Sequence, residues 1–344
     1  LEKWQEIACN EAVKAGLCDK SKYGQFMSGY FILGSDIAYN GKYTTYKTFM
    51  DFGNLYNWGK EWGDGSSFGF NGIFDGKGHV IDGLAVSGRY NGFVTTLADG
   101  TIRNVAFTNA EVSDTASLIA RAGFGTIENI YVSYAKITGG TGENVSTVFG
   151  SYDFTNRKIE NLIIDVTYCD FGSEVKDIWL VGGGYGTLKN VAVIGKYAVN
   201  AGNKALITDT DVSDASYLVH TNSYAELLAD ETAKANFATL DETFWTVNGE
   251  IVLPKSVAEI HKNDEITITN TETEINKNGS LTLKAAGKYY AFALKNEING
   301  VLLEGNVLKV DETATIGDEI TVVVKSLVSG KTSEYTLTIA KLKQ

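Results

Sequence analysis

Between Phe70 and Val193 one pattern of apolar and polar positions keeps returning. It is an aliphatic residue, any residue, an Asn or Gly, then two aliphatics one apart. It first reads Ile81-Asp82-Gly83-Leu84-Ala85-Val86. It returns as Gly100-Thr101-Ile102-Arg103-Asn104-Val105-Ala106-Phe107 and as Gly125-Thr126-Ile127-Glu128-Asn129-Ile130-Tyr131-Val132. Ile159-Glu160-Asn161-Leu162-Ile163-Ile164 and Gly186-Thr187-Leu188-Lys189-Asn190-Val191-Ala192-Val193 complete the set. From Gly83 through Asn104, Asn129 and Asn161 to Asn190 the steps are 21, 25, 32 and 29 residues, the range of a structural repeat. Within each phrase the apolar residues alternate with polar or small ones, which predicts a strand with one buried face. The Gly ahead of several phrases permits the turn that starts the strand. Asn is a poor strand residue. Its recurrence in one slot predicts that Asn side chains in register hydrogen-bond to one another or to turn backbone.

More apolar segments follow each phrase. Gly92-Phe93-Val94 comes after the first, Ser117-Leu118-Ile119-Ala120 after the second and Ile178-Trp179-Leu180-Val181 after the fourth. Several short strands per repeat of about 20–30 residues make one turn of a parallel β-helix. No turn can bury its inward face alone, so the stack is one cooperative core.

These residues carry a resemblance. The run Phe70-Asn71-Gly72-Ile73-Phe74-Asp75-Gly76-Lys77-Gly78-His79-Val80-Ile81, with Gly92-Phe93 and the Gly-Thr-Ile-x-Asn phrases, resembles the GLUG-type right-handed β-helix repeats of bacterial surface proteins. The resemblance implies an extracellular scaffold and no particular reaction. Tyr30-Phe31-Ile32-Leu33-Gly34-Ser35-Asp36-Ile37 is similar to the opening strand of such repeats.

The flanks read differently. Residues 2 to 16 place Trp4, Ile7, Ala8, Ala12 and Ala15 on one helical stripe, and a helix there would cap the open end of the stack. Residues 223 to 237 return to a helical pattern, with Ser223 as N-cap and Glu226 at the third helical position. After it, Trp245 and Val247 are expected to pack on the last turn of the stack, and Asn248-Gly249 to make a hairpin turn. Candidate strands 265–269, 280–285, 289–295, 307–310, 318–327 and 333–341 then predict a small β-sandwich. Gly305-Asn306-Val307-Leu308-Lys309-Val310, Gly317-Asp318-Glu319-Ile320-Thr321-Val322 and Ser333-Glu334-Tyr335-Thr336-Leu337-Thr338-Ile339 resemble bacterial Ig-like domains of the BIG type, which implies a spacer or stalk. The expected organisation is a helical cap over 1–24, a β-helix with C-terminal capping helix and hairpin over 25–257, and an Ig-like β-sandwich over 258–344.

Composition narrows the function. The chain has 344 residues, 37 Gly, one Pro and a net charge of −12. Such acidity disfavours nucleic acid and anionic membranes as partners. No run approaches the length of a membrane span. Leu1-Glu2-Lys3-Trp4 lacks the basic and apolar regions of a signal peptide and reads as the start of an excised piece. Cys9, Cys18 and Cys169 match no metal motif and read as buried free thiols, with a Cys9–Cys18 bridge as the alternative.

Candidate chemistry is sparse. His79, His220 and His261 show no ligand spacing, and His79, beside the inward residues of the first phrase, reads as structural. Asp75-Gly76-Lys77-Gly78 is a turn by composition and lacks the spaced carboxylates and closing Glu of a calcium loop. Gly182 to Gly186 reads as a tight corner, since no Lys-Ser/Thr follows it. No cofactor and no metal are expected. The aromatic stretch 39–68 offers Tyr56, Trp58, Trp62 and Phe68 as a sugar-stacking surface, against core packing as the plainer reading. Asp153, Asp165, Asp170, Glu174 and Asp177 are the candidate acids of a polysaccharide lyase or glycoside hydrolase, against a solvated acidic face. The leading expectation is a non-catalytic adhesin or glycan-recognition scaffold on a bacterial surface, its partner a glycan or a cell-surface protein. A carbohydrate-active enzyme and a trimeric phage fibre are the rivals.

Overall fold

In the computed structural model, which describes residues 26–27, 29–43, 69–70, 72–88, 92–114, 117–139, 145–149, 157–172, 178–181, 186–195, 205–206 and 218–341, the repeated phrases become strands of one parallel sheet. In chain order its strands are β1 (Phe26–Met27), β2 (Tyr30–Ile32), β3 (Ile37–Tyr43), β4 (Gly69–Phe70), β5 (Ile73–Asp75), β6 (Val80–Ser87), β7 (Val94–Asp114) and β8 (Ala120–Gly139). Then follow β9 (Val145–Phe149), β10 (Arg157–Asp165), β11 (Asp170–Phe171), β12 (Ile178–Val181), β13 (Gly186–Ile194), β14 (Ala205–Leu206) and β15 (Leu218–Thr221). All 15 belong to one hydrogen-bonded network, and every pairing described in it is parallel. The chain is mostly strand with few helices, as the pattern predicts. The expected helix over 2–16 and most of the aromatic stretch lie outside the described residues. Tyr39 and Tyr43, at the start of that stretch, belong to β3.

The phrases stack in register. Ile102 pairs with Ile127, Ile127 with Ile159 and Ile159 with Leu188. Three positions on, Val105, Ile130, Leu162, Val191 and Leu218 form a second row. Except for Leu218, whose side chain is outside the description, both rows are buried in one core. Phe74, Phe93 and Phe107 stack edge-on beside them, with ring centroids 5.1 and 5.4 Å apart. The expectation of one buried face is corrected here. Ala106, Tyr131, Ile163 and Ala192 form a row between core positions, and all four are buried too. The three consecutive apolar residues after each Asn carry that signal, because parallel strands covered on both faces read as continuous runs.

The register of the first phrase also differs from the sequence reading. Asp82 pairs with Thr108, so Gly83 lies opposite Asn109 and not Asn104. The partner of Arg103, next to Asn104, is Asp75. The 21-residue step was a corner offset; the true step at Gly83 is 26 residues. Gly83 and Asn109 share a left-handed backbone, with φ of 72° and 51°, which is why an Asn and a Gly can occupy equivalent slots. Gly100 and Gly125, ahead of their phrases, are not among the glycines at positive φ. They allow close approach: a Cβ at Gly100 would meet the Phe70 carbonyl oxygen at 2.4 Å, and one at Gly125 the Gly100 carbonyl oxygen at 2.6 Å.

Residues after β15 form two short helices, α1 (Tyr224–Ala229) and α2 (Glu231–Phe237). Ser223 caps α1 by accepting from the Glu226 N–H at 3.2 Å, while Glu226 accepts from the Asn222 N–H and not from Ser223. The single expected helix is broken at Asp230, which ends α1 with extended backbone and caps α2 by accepting from the Ala233 N–H at 2.8 Å. A hairpin follows, of β16 (Trp245–Val247) and β17 (Val252–Pro254), turning through Asn248-Gly249. Trp245 does not sit on the last turn of the stack. The Tyr224 hydroxyl reaches Asp165 on β10, and the Trp245 indole N–H reaches Asn129 on β8 at 3.3 Å. Phe244 lies 4.0 Å from where a Cβ would stand on Gly78, beside β5. The segment runs back along the flank and meets the row of Ala106, Tyr131, Ile163 and Ala192 at Tyr131, whose hydroxyl lies 3.4 Å from that of Tyr224. Val247 is left exposed.

Helix α3 (Lys255–His261) follows the hairpin. The chain divides into two compact units: Leu1–Val247 with Val252–Ser256, and Asn248–Ile251 with Val257–Gln344. In the second unit β18 (Thr267–Ile268) pairs with β21 (Ala285–Ala286). One sheet takes the order β19 (Glu274–Asn276), β26 (Thr332–Ala340), β25 (Glu319–Ser326), β22 (Tyr290–Leu294), and another the order β20 (Ser280–Thr282), β24 (Val307–Val310), β23 (Val301–Glu304). Ile275, Leu308, Val310, Ile320, Val322, Leu337 and Ile339, drawn from both sheets, share one core. Strands β19 and β23 were not expected. They are three and four residues long, too short to show an alternating pattern.

Candidate functional site

The phrase asparagines form a continuous hydrogen-bonded row. Asn190 donates through Nδ2 to Asn161 Oδ1 at 2.9 Å, Asn161 to Asn129 at 3.0 Å, and Asn129 to Asn104 at 3.1 Å. Asn104 donates in turn to Asp75 Oδ1 at 3.1 Å. Of the two expected arrangements, side chain to side chain is the one adopted. All four asparagines also hold φ between 51° and 58°. Each slot therefore needs a residue that tolerates left-handed backbone and carries both a donor and an acceptor, and Asn meets both conditions. All the amides point the same way, so the row is polarised toward the carboxylate at its first end.

That carboxylate, Asp75, is 1 % exposed. Its Oδ2 accepts from the Tyr30 hydroxyl at 2.7 Å and Arg103 Nε at 3.1 Å, and lies 3.3 Å from Lys77 Nζ. Its Oδ1 also accepts from the Lys77 backbone N–H at 3.0 Å, which fixes the turn. Burial pushes the carboxyl up, but the Tyr30 hydroxyl, the Lys77 N–H, the Asn104 amide and the Lys77 ammonium outweigh it and hold it at about 2. Tyr30 and then Asp75 raise the Lys77 ammonium above its ordinary value, and the Arg103 guanidinium is raised by the same two partners, with Tyr30 again the larger. Sequence reading treated Asp75-Gly76-Lys77-Gly78 as a turn and missed this cluster, because Tyr30 and Arg103 reach it from other strands.

Arg103 begins an outward row that continues in register through Glu128, Glu160 and Lys189, with Thr101, Thr126, Lys158 and Thr187 beside it. Glu160 sits between Lys158 at 2.9 Å and Lys189 at 2.5 Å. Lys189 above all holds its carboxyl down against the opposing effect of burial. The result is a flat polar face of paired charges and hydroxyls.

Of the sequence candidates, Tyr56, Trp58, Trp62, Phe68, Asp153, Glu174 and Asp177 lie outside the described residues. Asp165 is 1 % exposed and accepts from the Tyr224 hydroxyl at 2.8 Å, the Thr167 N–H at 2.9 Å and the Tyr131 hydroxyl at 3.1 Å. It ties the helical segment to the sheet. Asp170 is exposed, beside Lys136 and in register with Glu111. The two acids therefore do not share a face. His79 is only partly buried and pairs through Nδ1 with Asp36 at 2.9 Å. Cys169 is a free thiol pushed up to about 12, chiefly by burial and then by the charge of Asp170. Among the described residues no group of three or more His, Cys, Asp or Glu is placed to hold a metal ion. No helix among them is long and apolar enough to cross a membrane.

Comparison with family models, with curated proteins and with solved structures returned no match. The class that the fold defines is an all-β protein with a large parallel sheet.

Proposed function

We propose that the chain is a non-catalytic glycan-recognition or adhesion scaffold of a bacterial surface, built as a GLUG-type right-handed β-helix followed by an Ig-like spacer. Support for the β-helix comes from the all-parallel pairing, at steps of 25, 32 and 29 residues between β7, β8, β10 and β13, and from the left-handed corners at Asp99, Asn104 and Asn109 inside β7. Support for the spacer comes from its sheet orders. β20-β24-β23 and β26-β25-β22 follow the B-E-D and G-F-C orders of an immunoglobulin sandwich, with β19 added beside β26.

The observation that carries the non-catalytic reading is the state of four of the carboxylates described on the parallel sheet. Asp75 and Asp165 are buried and saturated with donors, Asp82 accepts from Thr108 and Asn109, and Glu160 is held between two lysines. A hydrolase needs two carboxylates facing one bond, and these four face different neighbours. The test is affinity electrophoresis of the whole chain through gels holding a panel of neutral and acidic polysaccharides. Retardation that is lost in the double variant W58A/W62A supports recognition through the aromatic stretch. Migration unchanged by every polysaccharide contradicts it.

A further inference from the structure

The cluster at the first end of the Asn row has an outer side that the fold itself does not use. Tyr30 is 53 % exposed, and its hydroxyl is pinned by Asp75. Lys77 Nζ lies 5.6 Å from the ring centroid and Arg103 Cζ 6.0 Å from it. Ile32, two residues along the edge strand and on the same face, is 59 % exposed. The negative charge between the cations is buried, while Lys77 and Arg103 side chains keep 50 % and 34 % of their surface. Hence the surface sees two cations around an apolar ring, on a chain of net charge −12. Of the five N–H donors of a guanidinium, Arg103 uses Nε to Asp75 and one on Nη2 to Tyr30 at 3.5 Å. Its remaining donors have no partner among the described residues.

We propose that Tyr30, Lys77 and Arg103 form a binding site for a carboxylate-bearing sugar of a polysaccharide. The proposal rests on the glycan-recognition reading and gives it a ligand class. The ring offers a rigid apolar platform for a sugar face. The free edge of Arg103 is a planar fork that matches a carboxylate, and Lys77 adds a point charge beside it. Preorganisation comes from below: Asp75 holds the phenol, the guanidinium and the turn in place before any ligand arrives. Charge complementarity decides the class: Asp75 supplies one negative charge to two cations, so the cluster keeps one net positive charge that a carboxylate would balance and a neutral sugar would not. Glu128 is the register neighbour of Arg103 and lies three strands from Tyr30 in the order β2-β5-β7-β8.

The test runs the whole chain through gels containing polygalacturonate, neutral galactan or polyglutamate, with the unfolding temperature of each variant as a check on folding. Retardation by polygalacturonate and not by the other two is expected. Lys77→Asn, which suits the left-handed turn at φ 53°, and Arg103→Gln should each weaken it about tenfold, with Lys77→Asn unfolding at the wild-type temperature. Retardation by galactan alone overturns the carboxylate site while leaving glycan recognition standing. Equal retardation by polyglutamate overturns the role of the ring. Wild-type retardation in both variants overturns the assignment of the residues, and no retardation in any gel overturns the proposal.

Discussion

Replacing Asn161 separates the two duties assigned to the phrase asparagines. Its side chain donates to Asn129 at 3.0 Å and accepts from Asn190 at 2.9 Å, and its φ is 58°. Asn161→Gly keeps the backbone and deletes both hydrogen bonds. At about 1 kcal/mol for each, plus a stranded amide on a buried neighbour, the cost is about 2–3 kcal/mol. Asn161→Ala deletes the same bonds and adds a Cβ in left-handed backbone, about 1–2 kcal/mol more, for a total of about 3–5 kcal/mol. Urea unfolding followed by tryptophan fluorescence reads this directly. All five tryptophans (Trp4, Trp58, Trp62, Trp179 and Trp245) precede residue 248, so the signal belongs to the first unit. The midpoints should fall in the order wild type, Gly, Ala, with an unchanged slope. Equal midpoints for Gly and Ala would refute the need for left-handed backbone. A loss below about 0.5 kcal/mol in Asn161→Gly would refute the hydrogen-bonded row.

Three further outcomes follow from the same geometry. Gly83→Asn should leave the urea midpoint within about 0.5 kcal/mol of wild type, while Gly83→Ala should lower it by about 1–2 kcal/mol, because φ there is 72° and the register partner is Asn109. The Asp75 carboxyl sits at about 2 against an ordinary 3.8. A depressed carboxylate stabilises above its unfolded value and loses that contribution as pH falls through the folded one. Unfolding temperatures of wild type and Asp75→Asn should therefore converge between pH 4 and pH 2, by about 2 kcal/mol in stability, and parallel curves would contradict this. With its thiol pushed up to about 12, Cys169 should react with iodoacetamide at pH 8 about a hundredfold or more slower in the folded chain than in urea, as read by peptide mass spectrometry.

Much of the first unit was legible because parallel stacking repeats its demands. The Ile102, Ile127, Ile159 and Leu188 row and the Asn row both stand in the sequence at matching offsets. What failed to show was the difference between an Asn slot and a Gly slot one corner later. Gly83 matched Asn104 in pattern, yet pairs beside Asn109. Local pattern does not say which corner a left-handed residue turns. The flank cover was equally hidden. Trp245 reads as an apolar residue after a helix, and only the three-residue apolar runs hinted that a second face needed covering. The Tyr30, Asp75, Lys77 and Arg103 cluster was beyond reach for another reason. Its members are up to 73 residues apart in sequence, and no single stretch carries more than two of them. Short strands such as Glu274–Asn276 escape because three residues define no period.

The central claim, recognition without turnover, is tested most directly by isothermal titration calorimetry of the whole chain with the polysaccharide that retards it best, followed by sizing of the recovered polymer. The account predicts heat that saturates with ligand and a polymer of unchanged length. Continuous heat with progressively shorter chains would contradict it and move the search for catalytic acids to Asp153, Glu174 and Asp177.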